Sequence, residues 1–180
     1  MTDRSESRVR RGEIAGDGPD GRGLRIGIVA ARFNAEIVGR LVETARDELG
    51  RLGVRPEDVT LLRVPGAFEL PIVAQALLRS ADPPDAVICL GAVIQGETPH
   101  FDFVAGAAAD GILRVGLDAG RPVIFGVLTT NTMVQAQDRA DGTYRRGADA
   151  ARDAVEMARL LASPELATGM SARIGDTPGT

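Results

Sequence analysis

A chain of 180 residues, 44% of them hydrophobic, can bury one sizeable core, which excludes a disordered protein for its central part. Its 21 basic and 25 acidic residues leave a net charge of −4. With no basic block and only 3% aromatic residues, nucleic-acid binding is not expected.

All the basic residues are arginine and none is lysine. A Schiff base on a side chain of this protein is therefore excluded, as is a Walker-type phosphate loop. One cysteine cannot make an internal disulfide and fits a reducing cytoplasm. One histidine gives no sequence case for a zinc site, so no metal is expected.

The first 23 residues are polar and Gly-rich, with no apolar export segment, and read as a flexible arm. No stretch is long and apolar enough to span a membrane, so a soluble cytoplasmic protein is expected. The folded domain is expected over 24–162, followed by a flexible tail at 163–180 where Ser, Gly, Pro and Thr recur.

Leu24 to Ala31 is an apolar run rich in β-branched residues, as in a strand buried on both faces. Asn34 suits the cap of a helix carrying Val38, Leu41, Val42, Ala45, Leu49 and Leu52 at helical spacing, and Gly53 suits its end. A second strand, Val59 to Val64, ends at Pro65-Gly66. The pattern then predicts a helix from Ala67 to about Arg79, with Pro71 near its first turn.

Asp82-Pro83-Pro84-Asp85 breaks the chain before a third strand, Ala86 to Ile94. A helix from about His100 to Leu117 and a fourth strand, Pro122 to Leu128, follow. Helix is expected again from about Met133, interrupted near Asp141-Gly142 and resuming through Tyr144 to Leu161.

Strand and helix alternate four times. The economical solution is an α/β fold: a three-layer αβα sandwich with a four-stranded parallel sheet. Ligands bind such sheets beyond the carboxyl ends of the strands. That rule nominates residues 32–34, 65–69, 95–100 and 129–132. Gly21-Arg22-Gly23 and Gly27 are not a dinucleotide fingerprint, since they do not follow a strand and open a helix.

Within these segments, Gln95-Gly96-Glu97-Thr98-Pro99-His100 joins the most apolar strand to a helix. Its glycine, the Thr98 hydroxyl and the following helix N-terminus suit an anion such as phosphate. Histidine titrates near neutrality, so His100 suits proton transfer; taken alone it suits a surface or packing role better. Phe33 suits stacking on a planar ring or core packing. Glu69 suits a polyol or a helix N-terminus, and Arg139 suits a phosphate or open solvent.

Together these segments resemble the 6,7-dimethyl-8-ribityllumazine synthase family over roughly Leu24 to Leu161. The likeness rests on Ile26-Gly27-Ile28-Val29 with Arg32-Phe33-Asn34, and on Val64-Pro65-Gly66-Ala67-Phe68-Glu69-Leu70-Pro71. It continues through Leu90-Gly91-Ala92-Val93-Ile94, Gly96-Glu97-Thr98-Pro99-His100-Phe101-Asp102, and Gly126-Val127-Leu128-Thr129-Thr130.

The resemblance implies a flavodoxin-like fold and a late step of riboflavin synthesis, without a cofactor. In that step 5-amino-6-(D-ribitylamino)uracil condenses with 3,4-dihydroxy-2-butanone 4-phosphate, losing phosphate and water. It further implies that Phe33 stacks on the uracil, with Phe125 bordering the same pocket from a neighbouring subunit. Ala67, Phe68 and Glu69 line the ribityl chain, and Ala92, Val93 and Ile94 read the uracil edge through backbone groups. Glu97, Thr98 and Arg139 meet the butanone phosphate, and His100 transfers a proton.

The family's assembly implies a homo-oligomer, a pentamer or a closed icosahedral shell, with riboflavin synthase as a partner protein. One departure stands out: Gln95 occupies a position where the family usually has arginine, and Arg139, Arg145 or Arg146 is left to compensate. The alternative reading is a non-catalytic homologue, either a flavin- or lumazine-binding protein or a structural shell subunit. A generic FMN binder is disfavoured, because Ala31-Arg32-Phe33-Asn34 lacks a hydroxyl-rich phosphate loop.

Overall fold

The computed structural model describes residues 19–164 and 166. Strands and helices alternate as β1 (Ile26–Ala31), α1 (Ala35–Arg51), β2 (Val59–Val64), α2 (Leu70–Leu78), β3 (Ala86–Ile94), α3 (His100–Ala119), β4 (Val123–Thr130), α4 (Met133–Ala140) and α5 (Arg146–Leu161). The sheet order is β2-β1-β3-β4 and every pairing is parallel.

Parallel neighbours need crossovers, and the helices supply them on both faces. On β1, Ile26, Ile28 and Ala30 point to the core under α1, α4 and α5, while Val29 points to the core under α2 and α3. On β3, Ile88, Leu90 and Ala92 likewise oppose Val87 and Cys89. This period of two, apolar on both faces, marks the central strands of a covered sheet. The architecture is the expected three-layer αβα sandwich, flavodoxin-like.

Helix α5 lies very close to α1. A Cβ at Gly147 would collide with the Leu41 carbonyl and the Thr44 hydroxyl, so this contact requires glycine. No helix among the described residues is long and apolar enough to cross a membrane.

Several element ends differ from the pattern-based expectation. Leu24 is buried but precedes β1. Ala67–Glu69 forms a 3-10 turn, and the α-helix begins at Leu70 with Pro71 in its first turn. Strand β4 runs on to Thr130 because its ladder with β3 continues through Val93↔Thr129 and Ile94↔Thr130. Helix α5 begins at Arg146, since Arg145 is left-handed (φ 43) and turns the chain there.

Asn34 is the clearest correction. It precedes α1 but adopts φ 56, ψ 47 and makes no side-chain cap. Its amide reaches across the sheet instead, donating to the Ala92 carbonyl at 2.9 Å.

Of the expected N-terminal arm, residues 1–18 lie outside the described residues. Residues 19–23 lie against the body: Gly21 N donates to Leu52 O at 2.7 Å, and Arg159 donates to the Asp20 and Arg22 carbonyls at 2.7 and 2.5 Å. Of the expected tail, residue 165 and residues 167–180 also lie outside the described residues.

Candidate active site

The parallel sheet aligns the carboxyl ends of its strands, which gathers most of the candidate residues at one edge. Arg32 N and Phe33 N donate to the Val64 and Pro65 carbonyls at 2.7 and 3.1 Å, so the chain leaving β1 stays beside the chain leaving β2. Phe33 is 71% exposed and Phe68 61% exposed, with neither ring taken up by the core. An exposed ring costs hydration unless something covers it, so both suit a planar or apolar ligand better than packing.

Ala67 is buried at the start of the 3-10 turn after β2. Glu69 closes that turn by accepting from Gly66 N at 2.9 Å through Oε2. One carboxylate oxygen is thereby tied to the backbone, which orients the other.

Ala92, Val93 and Ile94 end β3. Ala92 is buried, while Val93 and Ile94 are half-buried. Their ladder to Leu128, Thr129 and Thr130 on β4, together with Asn34 on Ala92 O, holds this backbone rigidly. Gln95 N donates to Thr130 O at 2.9 Å, extending the ladder by one step.

Beyond it, Glu97, Thr98, Pro99 and His100 are all exposed, and His100 is the first residue of the long helix α3. The N-terminus of that helix, with the helix dipole behind it, favours an anion.

Phe125 and Arg139 lie elsewhere. The register Val29↔Cys89↔Phe125 places Phe125 in the middle of edge strand β4, level with Val29, and β3 separates β4 from β1. Strands are spaced about 4.8 Å apart, so Phe125 stands roughly 10 Å to the side of β1 and well short of the carboxyl edge. Phe33, beyond the end of β1, and Phe125, in the middle of β4, are thus set apart on one chain.

Phe125 and Arg139 instead share a groove of about 270 Å³ along β4, lined also by Thr129, Arg146, Asp149 and Asp153. Asp149 is engaged by Arg152 at 2.5 Å and by Arg146 at 3.3 Å. Burial and the neighbouring Asp149 and Glu156 charges raise the Asp153 carboxyl above the ordinary aspartate value.

The Arg139 and Arg146 guanidinium carbons sit 5.2 and 5.6 Å from the centre of the Tyr144 ring. The candidates thus fall into two groups on one chain. The first is a set of residues at the carboxyl edge, most of them exposed, and the second is a groove on the outer side of β4.

Two groups escaped the sequence reading. Asn34 has the sequence of a cap, and its left-handed geometry and bond to Ala92 leave no local signal. Tyr144 was placed inside a helix, where nothing marked it as a neighbour of Arg139. Its position between two arginine-bearing segments was the available hint.

The model of the 6,7-dimethyl-8-ribityllumazine synthase family matches residues 23–162. The 6,7-dimethyl-8-ribityllumazine synthase of Thermus thermophilus is 49% identical over 141 residues, covering 78% of this chain and 89% of the relative. The protein of that name from Nitratidesulfovibrio vulgaris is 51% identical over 144 residues, covering 79% of this chain and 91% of the relative. The matched region contains every element from β1 to α5. The chain belongs to the 6,7-dimethyl-8-ribityllumazine synthase family.

Proposed function

We propose that this chain condenses 5-amino-6-(D-ribitylamino)uracil with 3,4-dihydroxy-2-butanone 4-phosphate to 6,7-dimethyl-8-ribityllumazine, the penultimate step of riboflavin synthesis. The observation that carries the reading is a family match spanning the whole folded body, joined to a carboxyl edge that carries an exposed ring, a paired backbone and a helix N-terminus. Phe33 stacks on the uracil, Ala67, Phe68 and Glu69 line the ribityl chain, and Ala92 to Ile94 present backbone groups to the uracil edge. Glu97 and Thr98 meet the phosphate before α3, and Arg139 supplies its counter-charge.

The imine joins the 5-amino group of the uracil to the butanone carbonyl and releases water, so no lysine of the protein is needed. The protein's contribution is then mainly positioning, which is worth ~7–11 kcal/mol of barrier in favourable cases. His100, at the mouth of the phosphate segment, transfers protons, an effect of about 10²–10⁴-fold for one such group.

The separation of Phe33 from Phe125 supports a site shared between neighbouring copies: the carboxyl edge of one chain faces the β4 groove of the next. Exposed Ile72, Phe103, Leu113 and Leu117 on α2 and α3 leave apolar surface that a monomer would have to hydrate, which favours burial between copies. We therefore take a pentamer as the smallest active unit, with a closed icosahedral shell as its larger form. It works in the cytoplasm and supplies lumazine to riboflavin synthase.

The test combines an absorbance assay for lumazine formation from the two purified substrates with a mass measurement by analytical ultracentrifugation. Turnover by a pentamer or larger assembly supports the reading. Tight ligand binding without turnover, or a monomer, overturns it.

A further inference from the structure

Two guanidinium groups of one groove share a single aromatic ring. Arg139 lies in the last turn of α4 and Arg146 opens α5, so their side chains come from different helices, and Tyr144 stands in the turn between them. That turn is fixed from several sides. Thr143 N and Tyr144 N donate to the Asp138 side chain and carbonyl at 3.2 and 3.5 Å, Asp141 pairs with Arg40, and Arg145 adopts φ 43.

The two guanidinium carbons lie 5.2 and 5.6 Å from the ring centre, within cation–π range. Like charges brought together repel, and the negative face of an aromatic ring attracts both. The ring therefore offsets part of the cost of keeping two cations in one groove before any anion arrives. An arriving phosphate then meets two fork-shaped donors already gathered.

The groove's carboxylates offset part of this charge: Asp149 pairs with Arg146 at 3.3 Å, and Asp153 lines the same groove. Asp149 is shared with Arg152, which itself pairs with Glu48 at 2.7 Å.

We propose that Tyr144 is a positioning residue which holds Arg139 and Arg146 together as a two-arginine seat for the phosphate of the butanone substrate. The proposal rests on the condensation reading and extends it. It names Arg146, not Arg145, as the second cation, and it assigns the ring a task. It also supplies, from the groove side, a positive charge that glutamine does not carry at position 95.

The experiment uses the intact assembly. Inorganic phosphate is titrated by calorimetry, and KM is measured separately for each substrate, in wild type, Tyr144→Leu, Tyr144→Gln and Tyr144→Phe. Leu and Gln remove the ring in two chemically different ways, so a folding defect in one variant does not decide the result. Loss of the ring is expected to weaken phosphate binding and raise KM for the butanone phosphate by about three- to tenfold, leaving kcat and KM for the uracil substrate unchanged.

Tyr144→Phe keeps the ring and is expected to match wild type. The proposal is overturned if the ringless variants bind phosphate as tightly as wild type, if both KM values rise together, or if Tyr144→Phe is as weak as Tyr144→Leu. Should wild type bind phosphate with this ring dependence yet show no turnover, the condensation reading fails and the seat stands.

Discussion

The amide of Asn34 donates to the carbonyl of Ala92 at 2.9 Å, tying the loop that carries Phe33 to the end of β3. Asn34 holds φ 56 to do so, a conformation that asparagine visits more readily than most residues. The loop carrying Phe33 and the end of β3 are thereby tied to one another.

Asn34→Ala loses this bond and also forces an alanine into left-handed geometry. It is expected to cost about 2–3 kcal/mol of stability in chemical denaturation. Asn34→Gly tolerates the geometry and loses only the bond, so it should cost about 0.5–1.5 kcal/mol. Both should raise KM for the uracil substrate more than KM for the butanone phosphate. Equal denaturation midpoints for the two variants would show that the backbone conformation carries no cost.

Gln95 is held at its backbone by Thr130 O, while its side chain is exposed at the start of the loop before α3. Replacing it by arginine adds a cation without disturbing a packed contact. Gln95→Arg should lower KM for the butanone phosphate by about five- to tenfold. An unchanged KM would mean that position 95 does not limit phosphate binding.

His100 heads α3 with its side chain exposed. If positioning supplies most of the rate, His100→Ala should lower kcat by about a hundredfold without abolishing turnover. Single-turnover kinetics with both substrates saturating measures this. An unchanged rate would remove His100 from the chemistry, and complete loss would contradict the dominance of positioning.

Cys89 is fully buried in β3, and burial pushes its thiol up to about 12 from an ordinary 9.0. In the unfolded chain the thiol loses its proton near the ordinary value, while in the folded chain it keeps it. The folded state then binds more protons, so stability falls as pH rises between those values. Native protein at pH 9 should resist thiol reagents and react on denaturation. Cys89→Ala should lose this part of the alkaline destabilisation, and rapid labelling of the native protein would refute the burial argument.

Much of the fold was legible from local pattern. The Asp82-Pro83-Pro84-Asp85 break and the unbroken apolar run fixed β3 at Ala86–Ile94 as expected, because both ends carried strong local signals. The end of β4 was missed by two residues, since its last rungs depend on pairing with Val93 and Ile94 and not on its own sequence.

The site was legible where it followed strand ends, as at Phe33 and Ala67 to Glu69. It was not legible where contacts join distant segments. Asn34 looked like a cap because its partner, Ala92, is remote in sequence. Tyr144 looked helical because the turn before Arg146 is set by Asp138 and Arg40.

The central claim is that each site is completed by a neighbour, with Phe33 from one chain and Arg139 from the next. Co-expression of equal amounts of Phe33→Ala and Arg139→Ala chains tests it most directly, by comparing turnover of the mixed assembly with each parent alone. In random mixing about one-quarter of the interfaces receive both intact halves, so turnover should recover to about one-quarter of wild type. A mixture no more active than the average of its two parents would place both residues in the same site of a single chain and contradict the account.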